Sequence, residues 1–544
     1  MANLSQQRRE QMLAFLETLK EQHSDDESLM ALGQIEKELK SKKYGLVWEE
    51  HEEEVDVQMR THIPVFTEDA SREIQGDPST ERYNFLLEGD NLHSLRLLEK
   101  THGGMIDLIY IDPPYNTGKK DDFVYDDKMV DLNDTFRHSK WLSFMAERLK
   151  IAKKLLSEQG VIFISIDDNE HSALKLLCDA ILGEPNYITS LIWQKKKGGS
   201  NDSRHVATEH EYILMYANDA TTLASIFIEY ADEYISRYKE EDEIGRYFWD
   251  TFKRKSGKQY YPITCPDGTV LQYEDNGEPI SWLRSEARFL SDLKEGETRI
   301  IKVNGKWTVH FKQRQPKGYK PRSLVTEHGT TSSGADQLKT IFNITNKFNN
   351  PKPSTLIQFL LKFSPNKQAI VLDFFAGSGT TGHAVMELNQ QDGGQRSFIL
   401  CTNNENGICE NVTYQRLKTV ITGKRQDGSE YSEGIPANLM YFRTDFVDKE
   451  SEELSDELLA HIREMIQLEY GIKIDDQQYV IIMNDEEMDA FEADFSSYTQ
   501  LKAVFINQDV LLSASQTKLL EGIDSYIIPD YYFDFELREA GEIW

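Results

Sequence analysis

The apolar run Asp107-Leu108-Ile109-Tyr110-Ile111 stops abruptly at Asp112-Pro113-Pro114-Tyr115. A short apolar run bounded in this way predicts a strand buried on both faces, the kind found inside a parallel sheet. Each proline fixes its own φ and pushes the residue before it out of the helical region, so Asp112 and Pro113 are held extended at the strand's carboxyl end. A carboxylate and a carbonyl, both acceptors, then face one spot. With the flat ring of Tyr115 beside them, the tetrapeptide can sandwich an aromatic amine and accept both of its N–H hydrogens.

A second strand-to-loop junction lies far downstream. Ile370-Val371-Leu372-Asp373-Phe374-Phe375-Ala376-Gly377-Ser378-Gly379-Thr380-Thr381 is followed by Ala384, Val385 and Leu388 at helical spacing, which reads as strand, glycine turn, helix. Glycines at a strand's carboxyl end let backbone N–H groups approach a ligand closely, as at the crevice of doubly wound sheets. The turn lacks the third glycine of a dinucleotide fingerprint and the lysine of a phosphate loop. Its weight comes from its companion.

The two motifs together, Asp-Pro-Pro-Tyr and Asp-x-Phe-x-Gly-x-Gly, resemble the amino-methyltransferases of DNA. That resemblance implies that Asp112, Pro113, Pro114 and Tyr115 hold the amino group to be methylated, and that Asp373, Phe375, Gly377, Gly379 and Thr380 hold S-adenosylmethionine. The catalytic loop precedes the cofactor loop, which is similar to the β-ordered group. Leu87-Glu88-Gly89-Asp90-Asn91-Leu92 falls where relatives place an acidic residue near the cofactor's adenine, so Asp90 and Asn91 are assigned there. Asn350-Pro351-Lys352-Pro353 falls where the family lines the methionine end, which assigns Lys352. Gly160–Asp168, after a helix from Trp141 to Leu156, and Glu209–Tyr216 match further family strands. For the ribose hydroxyls, Asn403, Asn404 and Glu405 remain equal candidates after the run Phe398–Cys401. Length, central insert and the chain's end, Ile528–Phe533 through Glu542-Ile543-Trp544, are similar to modification subunits of type III restriction–modification systems.

Charge separates the segments. The whole chain holds 61 basic and 92 acidic residues in 544, a net of −31, which argues on its face against nucleic acid. Yet residues 251–330 hold 15 basic against 9 acidic, whereas residues 441–544 hold 7 against 25. Lys253, Arg254, Lys255, Lys258, Arg314, Lys317 and Arg322 are interleaved with Tyr260, Tyr261, Trp282 and Trp307, the composition of a groove that neutralises phosphate and stacks bases. The C-terminal region pairs its acidity with apolar runs at Tyr479–Met483 and Val504–Ile506, so it reads as a small α/β domain that contacts protein, and its removal should leave a soluble core. At the other end, Met12, Leu13, Phe15, Leu16 and Leu19 form one helical stripe. A Ser24–Glu27 capping box precedes a second stripe at Leu29, Leu32, Ile35 and Leu39.

The expected fold is α/β: a doubly wound, Rossmann-like methyltransferase sheet with an inserted target-recognition region, an N-terminal helical segment and a C-terminal small α/β domain. The segments are 1–59 helical, 60–230 and 341–425 catalytic, 231–340 target recognition, and 426–544 an acidic partner or dimerisation domain. The expected activity is methyl transfer from S-adenosylmethionine to adenine N6 in double-stranded DNA, with the adenine flipped out of the helix. The resemblance implies a homodimer and a separate restriction subunit as partners; because the sequence contains no Gly-x-x-x-x-Gly-Lys-Ser/Thr loop, ATP-driven translocation is expected from that other chain. Alternatives are a solitary adenine enzyme, a cytosine-N4 enzyme, whose family members more often carry Ser at the position of Asp112, and a non-catalytic DNA-recognition subunit. A polar start and no long apolar stretch predict a cytoplasmic chain without membrane spans. Cys178, Cys265, Cys401 and Cys409 have neither metal-site nor disulfide spacing.

Overall fold

A computed structural model describes residues 4–23, 25–40, 48–118, 136–198, 203, 205–255, 257–345, 347–529 and 532–539. It divides the chain into two units, Met1–Ala224 with Arg322–Trp544, and Ser225–Pro321.

The larger unit is built on an eleven-stranded mixed sheet. Its order is His62–Glu68, Asn438–Asp448, Asn84–Glu88, Ser397–Thr402, Ile370–Asp373, Ile106–Ile111, Leu156–Ile166, His210–Ala217, Tyr187–Gln194 and Leu324–Val325, with Ile74–Gln75 also pairing with Asn438–Asp448. From Asn438–Asp448 to Leu156–Ile166 every neighbouring pair is parallel. The flanking strands are mostly antiparallel: His62–Glu68 runs against Asn438–Asp448, and His210–Ala217 runs against both of its neighbours. The central strands are apolar without alternation because helices cover both faces. Phe85, Leu87, Ile109, Ile111, Ile162, Ile164, Leu372 and Ile399 share one core with Leu95 and Leu98 of the helix Asn91–Thr101 and Met145 and Leu149 of the helix Arg137–Leu155.

Residues 322–340, which the sequence assigns to the insert, fall in the larger unit and supply its edge strand and the helix Thr331–Phe342. A division at residue 426 likewise cuts the sheet from one of its own strands, since Asn438–Asp448 lies between His62–Glu68 and Asn84–Glu88. Residues 441–544 are thus part of the larger unit's sheet and core and do not stand apart from it. Leu454, Leu458, Met465 and Ile466 belong to the core of the large sheet, and Tyr532 and Phe533 return to it. Between them Tyr479–Ile482, Ala503–Asn507 and Asp524–Ile528 make a parallel three-stranded sheet with a core of its own around Val480, Met488, Phe491 and Val504.

At the N-terminus the helices Leu4–Gln22 and Asp26–Lys40 are joined by a Lys20–Glu36 ion pair. Leu16 is buried while Met12, Phe15, Met30 and Ile35 are exposed. Ser24, the Glu27 and Leu39 side chains, Asp530, Tyr531 and the terminal Glu542-Ile543-Trp544 lie outside what is described. All four cysteines are buried and unpaired. No helix among the described residues is long and apolar enough to cross a membrane.

The inserted unit carries an antiparallel sheet ordered Thr298–Val303, Lys306–Arg314, Gly245–Thr251 and Glu240–Asp242. Its core is aromatic: Phe252, Tyr261, Trp282, Phe289 and Phe311, with Ile263, Ile280 and Val309.

Candidate active site

The two motif strands are neighbours. Leu108 and Ile109 pair in parallel with Val371 and Leu372, so both loops leave the same edge of the sheet. From one strand the chain goes on through the helix Arg137–Leu155 to Leu156–Ile166, and from the other through Thr380–Asp392 to Ser397–Thr402, in the opposite direction along the sheet. Adjacent strands whose connections diverge leave a crevice at their carboxyl ends, where ligands of open α/β sheets bind. A cavity of about 640 Å³ opens there, lined by Asp112, Pro113 and Tyr115 on one side and by Asp373, Phe375, Gly377, Ser378 and Thr380 on the other.

On the Asp112–Tyr115 loop, Trp141 Nε1 donates to the Pro114 carbonyl at 2.7 Å and fixes the double proline. The Tyr115 hydroxyl lies 2.7 Å from Asp112 Oδ1 and 3.1 Å from Glu211 Oε2, and donates its one proton to these carboxylates. Burial, then the charges of Asp112 and Glu211, raise the Tyr115 pKa well above the ordinary tyrosine value. Its ring edges the cavity, and its hydroxyl is a fixed part of the charge network. Lys352 Nζ donates to both oxygens of Asp112, at 2.8 and 2.7 Å, and to the Tyr115 oxygen at 3.0 Å. Burial opposes the charge on Lys352, but Asp112 and Glu211 outweigh it and raise its pKa. Because Thr380 Oγ1 donates to the Lys352 carbonyl at 3.2 Å, this one residue ties the Asp112–Tyr115 loop to the glycine loop.

The glycine loop turns because Gly377 and Gly379 adopt φ of +49° and +73°, a region open to glycine. A Cβ on Gly377 would stand 3.3 Å from the Phe348 ring, and one on Gly379 would stand 3.1 Å from Thr413. Asp373 holds the turn from inside, accepting from Phe375 N at 3.0 Å and from the Thr381 hydroxyl. Burial pushes its pKa up to about 7 against those two hydrogen bonds. From behind, the fully buried Arg416 donates to Thr380 Oγ1 at 2.7 Å and to the Ser378 hydroxyl at 3.2 Å. Its pKa is lowered to about 10 by burial.

Other assignments change character. Asp90 caps the helix Asn91–Thr101 through Leu92 N at 2.7 Å, and Asn91 donates to the Phe374 carbonyl at 2.8 Å. Both also accept from the buried Arg148, which holds Glu53 by two hydrogen bonds at 2.7 and 3.1 Å. Neither lines the cavity. Among the ribose candidates, Asn404 Oδ1 already accepts from Glu410 N at 3.2 Å, whereas Asn403 Oδ1 is buried without a hydrogen-bond partner among the described residues. Sequence reasoning missed Glu211. Its signal is an acid inside the strand His210–Ala217, and charged residues are rarely so buried unless paired.

In the inserted unit, Arg314 pairs with Asp242 and Glu297, and Lys312 joins Asp242 at 2.7 Å. Lys253 pairs with Glu274, and Arg254 with Asp250 at 3.1 Å. Lys255, Lys258 and Lys317 are exposed, as is Arg322, which belongs to the larger unit. The expectation of four stacking aromatics is corrected: Tyr261 and Trp282 form the unit's core, Trp307 is half-buried with its N–H on Asp267, and Tyr260 is exposed. A small antiparallel sheet needs large apolar side chains to fill its core, and these rings meet that need.

The DNA methylase family profile matches residues 106–413, more than half of the chain and both loops. The chain belongs to the DNA methylase family. It is 40% identical over 351 residues to the StyLTI Mod subunit, a type III restriction-modification enzyme of Salmonella typhimurium, covering 59% of this chain and 52% of that protein. It is 33% identical over 386 residues to the EcoPI Mod subunit of Escherichia phage P1, covering 61% and 59% respectively. This DNA methylase thus spans between half and three fifths of the length of these two curated relatives. A solved putative DNA modification methylase of Thermus thermophilus, complexed with S-adenosyl-L-methionine, aligns at 13% identity and a TM-score of 0.32 over 66% of this chain and 99% of that one.

Proposed function

We propose that this chain transfers a methyl group from S-adenosylmethionine to adenine N6 of a short DNA site, as the modification and recognition subunit of a type III restriction–modification system. One observation carries the reading: the Asp112–Tyr115 loop and the Gly377–Thr380 turn open into one cavity from adjacent parallel strands. The residues present suit the cofactor. Bare backbone at Gly377, the hydroxyls of Ser378 and Thr380 and the Phe375 ring line the cavity and offer polar and aromatic contacts for an amino acid and a base. When bound, S-adenosylmethionine supplies a methyl group on an electrophilic sulfonium.

Adenine N6 is a poor nucleophile because its lone pair is conjugated with the ring. Asp112 and the Pro113 carbonyl accept its two hydrogens, turn the lone pair out of conjugation and stabilise the developing positive charge. Asp112 would also take the proton that N6 must lose on methylation and pass it to solvent, since its carboxylate lies at the open side of the cavity. Flipping the base costs a few kcal/mol, and contact with the Tyr115 ring offsets part of it.

The inserted unit Ser225–Pro321, with exposed Lys255, Lys258 and Lys317, is the region we assign to target recognition. A second copy of the chain and an ATP-dependent nuclease are the partners we assign from its type III relatives. Purified chain given isotopically labelled cofactor and duplex DNA should yield N6-methyladenine by mass spectrometry. N4-methylcytosine, or no transfer by a folded protein, overturns the reading.

A further inference from the structure

An ammonium has three N–H donors, and on Lys352 all three are engaged, two by Asp112 and one by Tyr115. Glu211 Oε2 lies 3.4 Å from the same nitrogen, and Lys195 closes the far side of Glu211 at 3.0 Å. Asp112, Lys352, Glu211 and Lys195 therefore form a row of alternating charge. Its middle members, Lys352 and Glu211, are buried, while Asp112 and Lys195 at its ends are partly exposed. An amine that donates to Asp112 competes with Lys352 for the same two oxygens.

We propose that Lys352 is a positioning residue, a movable counter-charge that passes from Asp112 to Glu211 as the target amine arrives, with Glu211 as its receiver. The proposal rests on the methyltransferase reading of the site. The N–H that the amine displaces finds its nearest carboxylate oxygen outside Asp112 on Glu211, so the cation stays in the pocket beside the two carboxylates. Without that cation, Asp112 and Glu211, bridged by the one Tyr115 hydroxyl, are two carboxylates in a partly desolvated site, and such pairs retain a proton. A proton shared by the pair takes away acceptor capacity from the site. The other titratable groups facing this row do not replace Lys352. Tyr110 and Tyr115 are held neutral by burial and by Asp112. Asp373 and Asp167 are acids whose pKa burial raises. Lys195 bonds to Glu211, and Lys196 lines the cavity wall.

The test is the pH dependence of kcat/KM for duplex DNA in Lys352→Met, Lys352→Arg, Glu211→Gln and the double variant Glu211→Gln/Lys352→Met, with S-adenosylhomocysteine affinity measured by calorimetry on each. Lys352→Met should lose about tenfold or more near neutral pH and recover towards alkaline pH, its acid limb displaced upwards by about one unit. The double variant, left with one carboxylate, should move the limb back towards wild type, and Lys352→Arg should keep it there. Glu211→Gln, which removes the receiver, should raise KM for DNA by about tenfold without moving S-adenosylhomocysteine affinity. An active Lys352→Met protein with the wild-type limb, or one whose only change is weaker S-adenosylhomocysteine binding, makes Lys352 a cofactor-lining residue and overturns the proposal. Should Lys352→Met fail to fold, an unchanged KM in Glu211→Gln overturns it equally. Failure of the wild-type protein to methylate adenine overturns the parent reading instead, so the two failures are distinct.

Discussion

In the larger unit Lys352 is 8% exposed and sits among carboxylates, whereas Lys255, Lys258 and Lys317 of the inserted unit are exposed and have no ion-pair partner among the described residues. One residue type serves two purposes, and burial decides which. A buried cation must be paired to remain charged, so it organises its neighbours and its loss is felt at one atom. An exposed cation is already solvated, so it adds potential that any phosphate shares and salt screens. The inserted unit repeats the contrast internally, because Arg314 and Lys312 are tied to Asp242 and Glu297. Hydrogen bonds from Arg314 and then Lys312 hold the Asp242 carboxyl well below the usual carboxylate range.

The contrast predicts a ranking of effects. Deleting residues 441–544 strips the sheet of most of an internal strand and of Leu454, Leu458, Met465 and Ile466. No cooperative thermal transition should remain by circular dichroism; a folded truncation would break the claim that this region completes the larger unit. Asp112→Ala should cut methyl transfer by about 10²–10³-fold, the loss expected when one fixed transition-state partner is removed. Calorimetry should find S-adenosylhomocysteine binding to that variant intact, and turnover above a tenth of wild type would remove the assigned role.

Gly377→Leu imposes a strained φ and meets Phe348, so S-adenosylhomocysteine affinity should fall by about ten- to a hundredfold, in line with about 1–3 kcal/mol of backbone strain. Wild-type affinity in the folded variant would count against the loop assignment. Lys255→Gln/Lys258→Gln sharpens the comparison directly. The slope of log affinity for DNA against log salt should become shallower by about 0.9 for each phosphate that is no longer neutralised, with thermal stability unchanged. Arg314→Met should show the reverse, lower thermal stability and an unchanged slope.

The smallest effect concerns Asp373. Burial raises its folded pKa to about 7, well above the ordinary aspartate value, so between the two the folded state holds a proton that the unfolded state has released. Stability from this group is present below the unfolded value and is lost as pH rises through the folded one. Between those limits Tm of the wild type should fall more steeply with pH than that of Asp373→Asn; parallel curves would show that Asp373 is ionised throughout.

Both reacting loops were legible from residue order because their chemistry is local. Proline and glycine constrain the backbone where they stand, and an apolar run ending at either one marks a strand's carboxyl edge. The inserted unit was legible only as charge. Counting lysines and aromatics did not separate Arg314 from Lys255 or Trp282 from Tyr260, since pairing and burial depend on which strands meet. Domain limits failed for a similar reason. Acidity separates residues 426–544 from the rest, but Asn438–Asp448 belongs between two strands more than three hundred residues earlier in the chain.

By itself the amino-acid sequence determined that two strand-end loops exist, which side chains they present and that one of them is a glycine turn. Tertiary structure alone decided that Lys352 and Glu211 join Asp112 and Tyr115 in one charge network, that Asp90 and Asn91 brace Arg148, and that the C-terminal region shares the core of the sheet. The physical reason is range: dihedral preferences act within a few residues, while desolvation and charge pairing act between whichever side chains the fold brings within a few ångströms.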